Sequence, residues 1–330
     1  MLEKSIIDLA SAKFQQETGF LLQTHFYDKD IKMFLKTEDY DIPFRVVIKT
    51  NLNKARLSLI SEQLNKKSNE IPLLITDYMN PELFELTKKL NLNFLDCAGN
   101  VYINIPPLLI NIKGNKRTEE GKYKETSKGF SVTDLQTIYT LLCNQRLEQN
   151  PIREIAELAG VAKSSIHLTL KTLKEQGFLI ENYGIKKIVN KEKLLQKWIA
   201  LFPDKLKIKH LIGRYEIADN FFWEKINIQQ YDALWGGETA AAKLTSYLTP
   251  AIHTVYIGNK QGEFILRNKM KKNPAGNVEL YNRFWKFKED NELDVVNPIL
   301  VYADLIATGE PRNIETARII YEKEVIRYIK

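Results

Sequence analysis

The stretch "GVAKSSIHLTLKTLKEQGFL", residues 160–179, carries the residue types and spacing most suggestive of a chemical task. Ile166, Leu170 and Leu173 recur at i, i+4 and i+7, the period of one buried helical stripe. Lys163, His167, Lys171 and Lys174 recur at the same interval on another face, so a helix here displays a column of hydrogen-bond donors. Ser164 and Ser165 fall in its first turn, where free backbone N–H groups and the helix dipole favour a phosphate. The chemistry is that of holding a polyanion; a solvated lysine face is the plain alternative.

The elements around this helix decide between the two. "PIREIAELAG" opens with Pro151, repeats apolar residues at Ile152, Ile155, Ala156 and Ala159, and stops at Gly160, which reads as a short preceding helix. After Gly177, "FLIENYGIKKIVN" is apolar and β-branched, broken at Asn182, Tyr183 and Gly184, and reads as a hairpin with Lys186 and Lys187 on its return strand. An earlier helix over "VTDLQTIYTLLCN", with Val132, Leu135, Ile138 and Leu142 in register, completes a three-helix unit with a wing. The pattern is that of a winged helix-turn-helix. Such modules bind DNA and also dock proteins. Ser165, His167 and Lys171 are expected at base edges, Ser164 at the helix N-terminus, and Lys163, Lys174, Lys186 and Lys187 at phosphates.

Composition agrees with a nucleic-acid partner. The 330 residues carry a formal net charge of +7, with a pI near 9.0, a moderate basic excess that favours a polyanion. The length exceeds one comfortable core, so more than one domain is expected. No apolar run reaches the length of a membrane span and the start "MLEKSIIDLASAKF" lacks a signal-peptide block, so a cytoplasmic protein without membrane contact is expected. Cys97 and Cys143 belong to no C-x-x-C pair, and His25, His167, His210 and His253 show no ligand spacing. No metal or other cofactor is expected.

The charged stretch 113–129, "KGNKRTEEGKYKETSKG", is almost free of large apolar groups and separates an N-terminal domain from the winged helix. The expected organisation is an α+β multidomain chain: a mixed α/β sheet domain over 1–115, a linker over 116–129, the winged helix-turn-helix over 130–202, and an α/β domain over 203–330, with a joint near Pro203. The N-terminal domain reads as helix, three strands, helix, strand, helix and further strands. That order resembles the restriction-endonuclease-like fold, in which two carboxylates hold Mg²⁺ and a lysine on the third strand orients water. "RVVIKT" resembles that strand, with Lys49 at the lysine position and Asp28 or Asp30 as vestigial candidates for the first carboxylate. Val47 stands where the motif needs an acid, so the expectation is an inactive, nuclease-like domain with Lys49 as a rim residue and no catalytic set. A Mg²⁺-dependent nuclease of the PD-(D/E)xK type, guided by the winged helix, is the alternative. In "LDCAGNVYI", Asp96 is expected to cap the turn at Gly99 and Asn100 rather than to serve as a relocated ligand.

In the C-terminal part, "LWGGETAAAKLTSYLTP" places Gly236 and Gly237 before an alanine-rich helix. Close helix packing explains those glycines better than a phosphate cradle, because a bare G-G-E lacks the P-loop pattern. Asn313 is expected as the N-cap of the last helix, and Trp235 and Arg312 as partner-contact residues. "FLDCAGNVYI", the winged helix, "WGGETAAAKLTSYL" and "VYADLIATGEPRNIETARIIYEK", in this order, resemble the AbiEi-like antitoxins of type IV toxin–antitoxin systems, in the branch with an N-terminal nuclease-like domain. The resemblance runs over nearly the whole chain. It implies a non-enzymatic transcriptional autorepressor that binds its own double-stranded operator and neutralises a cognate toxin of the nucleotidyltransferase type.

Overall fold

A computed structural model of the chain describes residues 2–27, 31–37, 40–65, 70–117, 129–217, 223–289 and 293–330. It divides into two compact units, Met1–Lys128 and Gly129–Lys330.

In the first unit the elements are α1 (Leu2–Thr18), β1 (Leu21–Phe26), β2 (Ile31–Lys36), β3 (Asp41–Ile48), α2 (Lys54–Asn65), β4 (Ile71–Thr76), α3 (Pro81–Lys89), β5 (Phe94–Asp96), β6 (Val101–Ile105) and β7 (Leu108–Ile112). The described strands form one sheet in chain order, β1 to β7. The pairs β3–β4 and β4–β5 are parallel and the rest antiparallel. This is the helix and strand order read from the sequence. Strand period sorts the core onto two faces. Leu73 and Ile75 of β4 pack under α1 with its Ile6, Ile7, Ala10 and Phe14. The intervening Leu74 packs on the opposite face with Leu57 and Ile60 of α2 and Leu83 and Phe84 of α3. Asn80 caps α3 by accepting from the Leu83 N–H at 2.9 Å, with Pro81 in the first turn.

The second unit begins with α4 (Val132–Cys143), α5 (Ile152–Ala159), α6 (Lys163–Glu175), the antiparallel ribbon β8 (Leu179–Asn182) and β9 (Ile185–Ile188), and α7 (Lys191–Leu201). A capping box of Ser131 and Asp134 starts α4. Gly160, at φ +67°, ends α5 in the left-handed region. Tyr183 and Gly184 both take positive φ, the two-residue turn that suits a twisted ribbon.

Beyond α7 the chain passes Pro203 without leaving helix: a π-helical stretch, Phe202–Lys207, leads into α8 (Ile208–His210). A wider i→i+5 turn accommodates a proline that has no N–H to give. Where the sequence suggests a joint, the described chain is therefore a helical rod. Its packing explains why: Tyr139 of α4 stacks on Trp198 of α7 at 5.5 Å and meets Phe284, Trp285 and Phe287 at 5.2, 5.4 and 5.7 Å. The Trp198 Nε1 donates to the Leu135 carbonyl at 2.7 Å. The helical segment and the C-terminal sheet share one aromatic core.

That sheet contains β10 (Leu211–Glu216), β11 (Ala233–Gly236), β12 (His253–Ile257), β13 (Lys271–Lys272) and β14 (Val278–Asn282) in the order β11-β12-β14-β10-β13, with β12 and β14 parallel. The helices α9 (Gly237–Thr245), α10 (Gln261–Arg267), α11 (Pro298–Thr308), α12 (Pro311–Ile320) and α13 (Ile326–Ile329) accompany it. Pro298 to Ile306 of α11 are all buried, so this helix is apolar nearly all round and forms the middle of the unit.

Candidate nucleic-acid interface

At about 100° per residue, the exposed side chains of α6 fill one continuous arc: Lys163, Lys174, His167, Lys171, Ser164, Glu175 and Leu168. Ile166, Thr169, Leu170 and Leu173 are buried on the opposite side. The Thr169 hydroxyl donates to Asp134 Oδ1 at 2.6 Å, fixing α6 against the cap of α4. Ser165, expected at base edges, is half-buried at the margin of the arc, whereas Ser164 lies well inside it. Sequence reasoning does not single out Leu168. It is 66 % exposed, an apolar residue off the buried stripe.

The ribbon extends this surface. Glu181 and Lys186 are direct cross-strand partners, so they share one ribbon face. Glu181 also pairs with Lys174 at 3.4 Å, which turns that face towards α6. Lys187 alternates to the other face, where it lines a recess of about 360 Å³ with Arg146, Lys191 and Lys330. Lys171 makes an ion pair with Glu175 at 3.9 Å, exposed and so of little energy. Among the described residues, Lys163, Lys186 and Lys187 have no ion pair. The surface is predominantly cationic, with Tyr183 at the tip fully in solvent.

Of the nuclease-like candidates, the structure describes Lys49 and its neighbour Val47. Asp28 and Asp30 lie outside the described residues. Lys49 is exposed just beyond the last residue of β3, and Val47 is packed against the core between the sheet and α2 and α3. The carboxylates at the ends of the neighbouring strands are engaged elsewhere. Asp77 accepts from the Asn51 N–H at 2.9 Å and pairs with Arg117 at 2.7 Å. Asp96 accepts from the N–H groups of Met79, Ala98 and Asn100 and from Asn100 Nδ2, at 2.8 to 2.9 Å. It is the turn cap expected from the sequence. Among the described residues no group of three or more His, Cys, Asp or Glu side chains is placed to hold a metal.

In the C-terminal sheet the glycines serve close packing. A Cβ on Gly236 would meet the Tyr256 ring at 2.6 Å, and one on Gly237, itself at φ +49°, would meet Thr254 Oγ1 at 2.5 Å. The N-terminus of α9 already holds an anion from the chain: the Gly237 N–H donates to Asp304 Oδ2 at 3.1 Å. Asp304 is also bonded to the Tyr256 hydroxyl at 2.9 Å and to Lys207 Nζ at 2.8 Å. Burial alone would lower Lys207, but the Asp304 carboxylate reverses this and holds the ammonium above its ordinary range.

One partner-contact expectation changes. Trp235 is fully buried, edge-on to Trp223 at 6.4 Å and His253 at 6.3 Å, so it is a core residue. Arg312 remains about half exposed and is held by both oxygens of Glu238, at 3.0 and 2.9 Å. Asn313 is not a cap: α12 begins two residues earlier, and Asn313 is buried with its Nδ2 donating to Glu238 Oε1 at 2.9 Å. Glu238, 75 positions away in sequence, decides the roles of both Arg312 and Asn313, which local pattern does not reveal.

Glu289 is a further group without a sequence signal, half-buried overall. It borders a cavity of about 730 Å³ with Cys143, Asn144, Asn297, Arg327 and Tyr328. Burial pushes its carboxyl up to about 8, and its Oε1 has no hydrogen-bond partner among the described residues.

Among the described residues, no helix is long and apolar enough to cross a membrane. Residues 187–326 match the profile of a family described as "Transcriptional regulator, AbiEi antitoxin, Type IV TA system". The match begins within β9 and leaves α4 to α6 and the first unit outside it, a narrower span than the resemblance read from the sequence. No curated protein and no solved structure matches the chain.

Proposed function

With the match of residues 187–326 to the AbiEi antitoxin family as the premise, we propose that this chain is a DNA-binding autorepressor and antitoxin. Its residues 130–202 act as a winged helix-turn-helix. The observation that carries the reading is the cationic arc of α6 continued by the ribbon lysines. In this mechanism α6 enters the major groove. Ser164, His167 and Lys171 approach base edges with Ser165 at the margin, and Lys163 and Lys174 flank them at phosphates. The ribbon is the wing, and Lys186 and Lys187 reach the backbone from its two faces. The partner is the double-stranded operator of the chain's own transcription unit, and the regulator needs no catalytic step.

Antitoxin activity belongs to the C-terminal region, with Arg312 on the contact surface and a nucleotidyltransferase-type toxin as the partner. The first unit is a nuclease-like fold without a catalytic set, consistent with aliphatic Val47 and with Asp77 and Asp96 being consumed by structural hydrogen bonds. Co-expression tests the reading. The chain should lower reporter output from its own promoter and restore growth in cells expressing the neighbouring toxin, and Lys163→Glu with Lys171→Glu should abolish the first effect and spare the second. Unchanged reporter output with the intact chain would overturn the regulator reading.

A further inference from the structure

The exposed arc of α6 contains one apolar residue, which phosphate binding leaves unexplained. Leu168 is 66 % exposed on the N-terminal half of a 13-residue helix, one turn on from Ser164 and one turn before Lys171. A single surface leucine is ordinary in itself. This one closes the exposed arc, with Ser164 and Lys171 one turn away along the helix and Glu175 next to it around the helix, on the surface whose net charge complements a nucleic acid. Base contacts by such a helix come from its N-terminal half, and its flanks meet phosphates. A leucine offers no hydrogen bond. In the major groove the one methyl group it can pack against is the C5-methyl of thymine.

We infer that Leu168 is a specificity-determining residue that packs against a thymine methyl, so that the operator carries an A·T pair beneath the middle of α6. The inference rests on the DNA-binding reading above and adds the chemical identity of one base. Lysine and serine contacts orient the helix, and Leu168 separates thymine from cytosine by shape and hydrophobicity. The thymine is also distinguished from uracil, which has the same hydrogen-bonding edge without the methyl. That pair of bases isolates the proposed contact from every polar one.

The test uses the full chain and a duplex of its own upstream DNA, with each thymidine replaced in turn by deoxyuridine and affinity read by fluorescence anisotropy. At one thymine for each bound copy of α6, removal of the methyl should weaken binding about fourfold, the transfer free energy of one buried methyl group expressed as a ratio. Leu168→Ala should weaken binding to the unmodified duplex and should abolish the difference between thymidine and deoxyuridine at that position alone. Alanine is a better helix former than leucine and the site is exposed, so the variant keeps its fold. A uniform response to deoxyuridine in both proteins, with operator binding intact, would overturn the inference and leave the DNA-binding reading standing. Unchanged operator affinity in Leu168→Ala would also overturn it. Absence of any preference for the upstream duplex in the intact chain would overturn both readings.

Discussion

Glu289→Gln should stabilise the second unit, and only above acidic pH. Burial raises the Glu289 carboxyl from 4.5 to about 8. The folded state therefore retains the proton over a window in which the unfolded chain has released it. Stability attached to this group is complete below about pH 4.5, declines as pH rises through the window, and is flat beyond about pH 8. At about 1.4 kcal/mol per pH unit the undamped loss is about 5 kcal/mol. Residual solvent access at the cavity rim reduces this to about 2 kcal/mol, equivalent to about 5 °C in Tm for a unit of this size. Glutamine keeps the shape and cannot ionise. Thermal melts of the two proteins between pH 4 and 9 should coincide at the acid end and separate progressively to a plateau near pH 8. Parallel curves across the range would refute the argument that Glu289 is held protonated by burial.

Lys187→Ala should lower affinity for all DNA and flatten the salt dependence by up to about 0.9 in log–log slope for each phosphate the variant no longer neutralises. Lys186→Ala should do less, because Glu181 faces Lys186 across the ribbon; equal effects in a salt titration would contradict the assignment of ribbon faces. Trp198→Ala should cost about 3–5 kcal/mol in urea melts, because it empties the stack between Tyr139 and Phe202. A decrease below about 1 kcal/mol would show that α7 is not part of the shared core. With Mg²⁺ or Mn²⁺ the purified chain should leave plasmid and linear DNA intact, and cleavage that disappears in Lys49→Ala would restore the nuclease alternative.

Much of the candidate surface is legible in the sequence because its signals are local. The period of Ile166, Leu170 and Leu173 sets which side of α6 is buried, and Gly160 and Gly184 mark the turns on either side. Asp96 is legible as a cap because two of its partners, Ala98 and Asn100, lie within four residues. What is not legible depends on distant partners. Pro203 marks a joint by residue type, but the aromatic cluster joining Tyr139 to Trp285 carries helix through it. Trp235 has the composition of an interface anchor and is buried against Trp223 and His253. Glu238 recruits Asn313 away from a capping position, and no spacing rule links residues so far apart. Leu168 escapes notice because the buried stripe and the lysine column together account for the helix without it.

The central claim is that the arc of α6 recognises a particular DNA sequence. Competition anisotropy measures this directly: the full chain is bound to a labelled duplex of its own upstream region and challenged at fixed salt with unlabelled upstream or scrambled DNA of equal length. The account predicts that upstream DNA competes at least about a thousandfold better, and that Lys163→Glu with Lys171→Glu removes this preference while leaving the fold intact by circular dichroism. Equal competition by the two duplexes, or a preference that survives the double substitution, would contradict it.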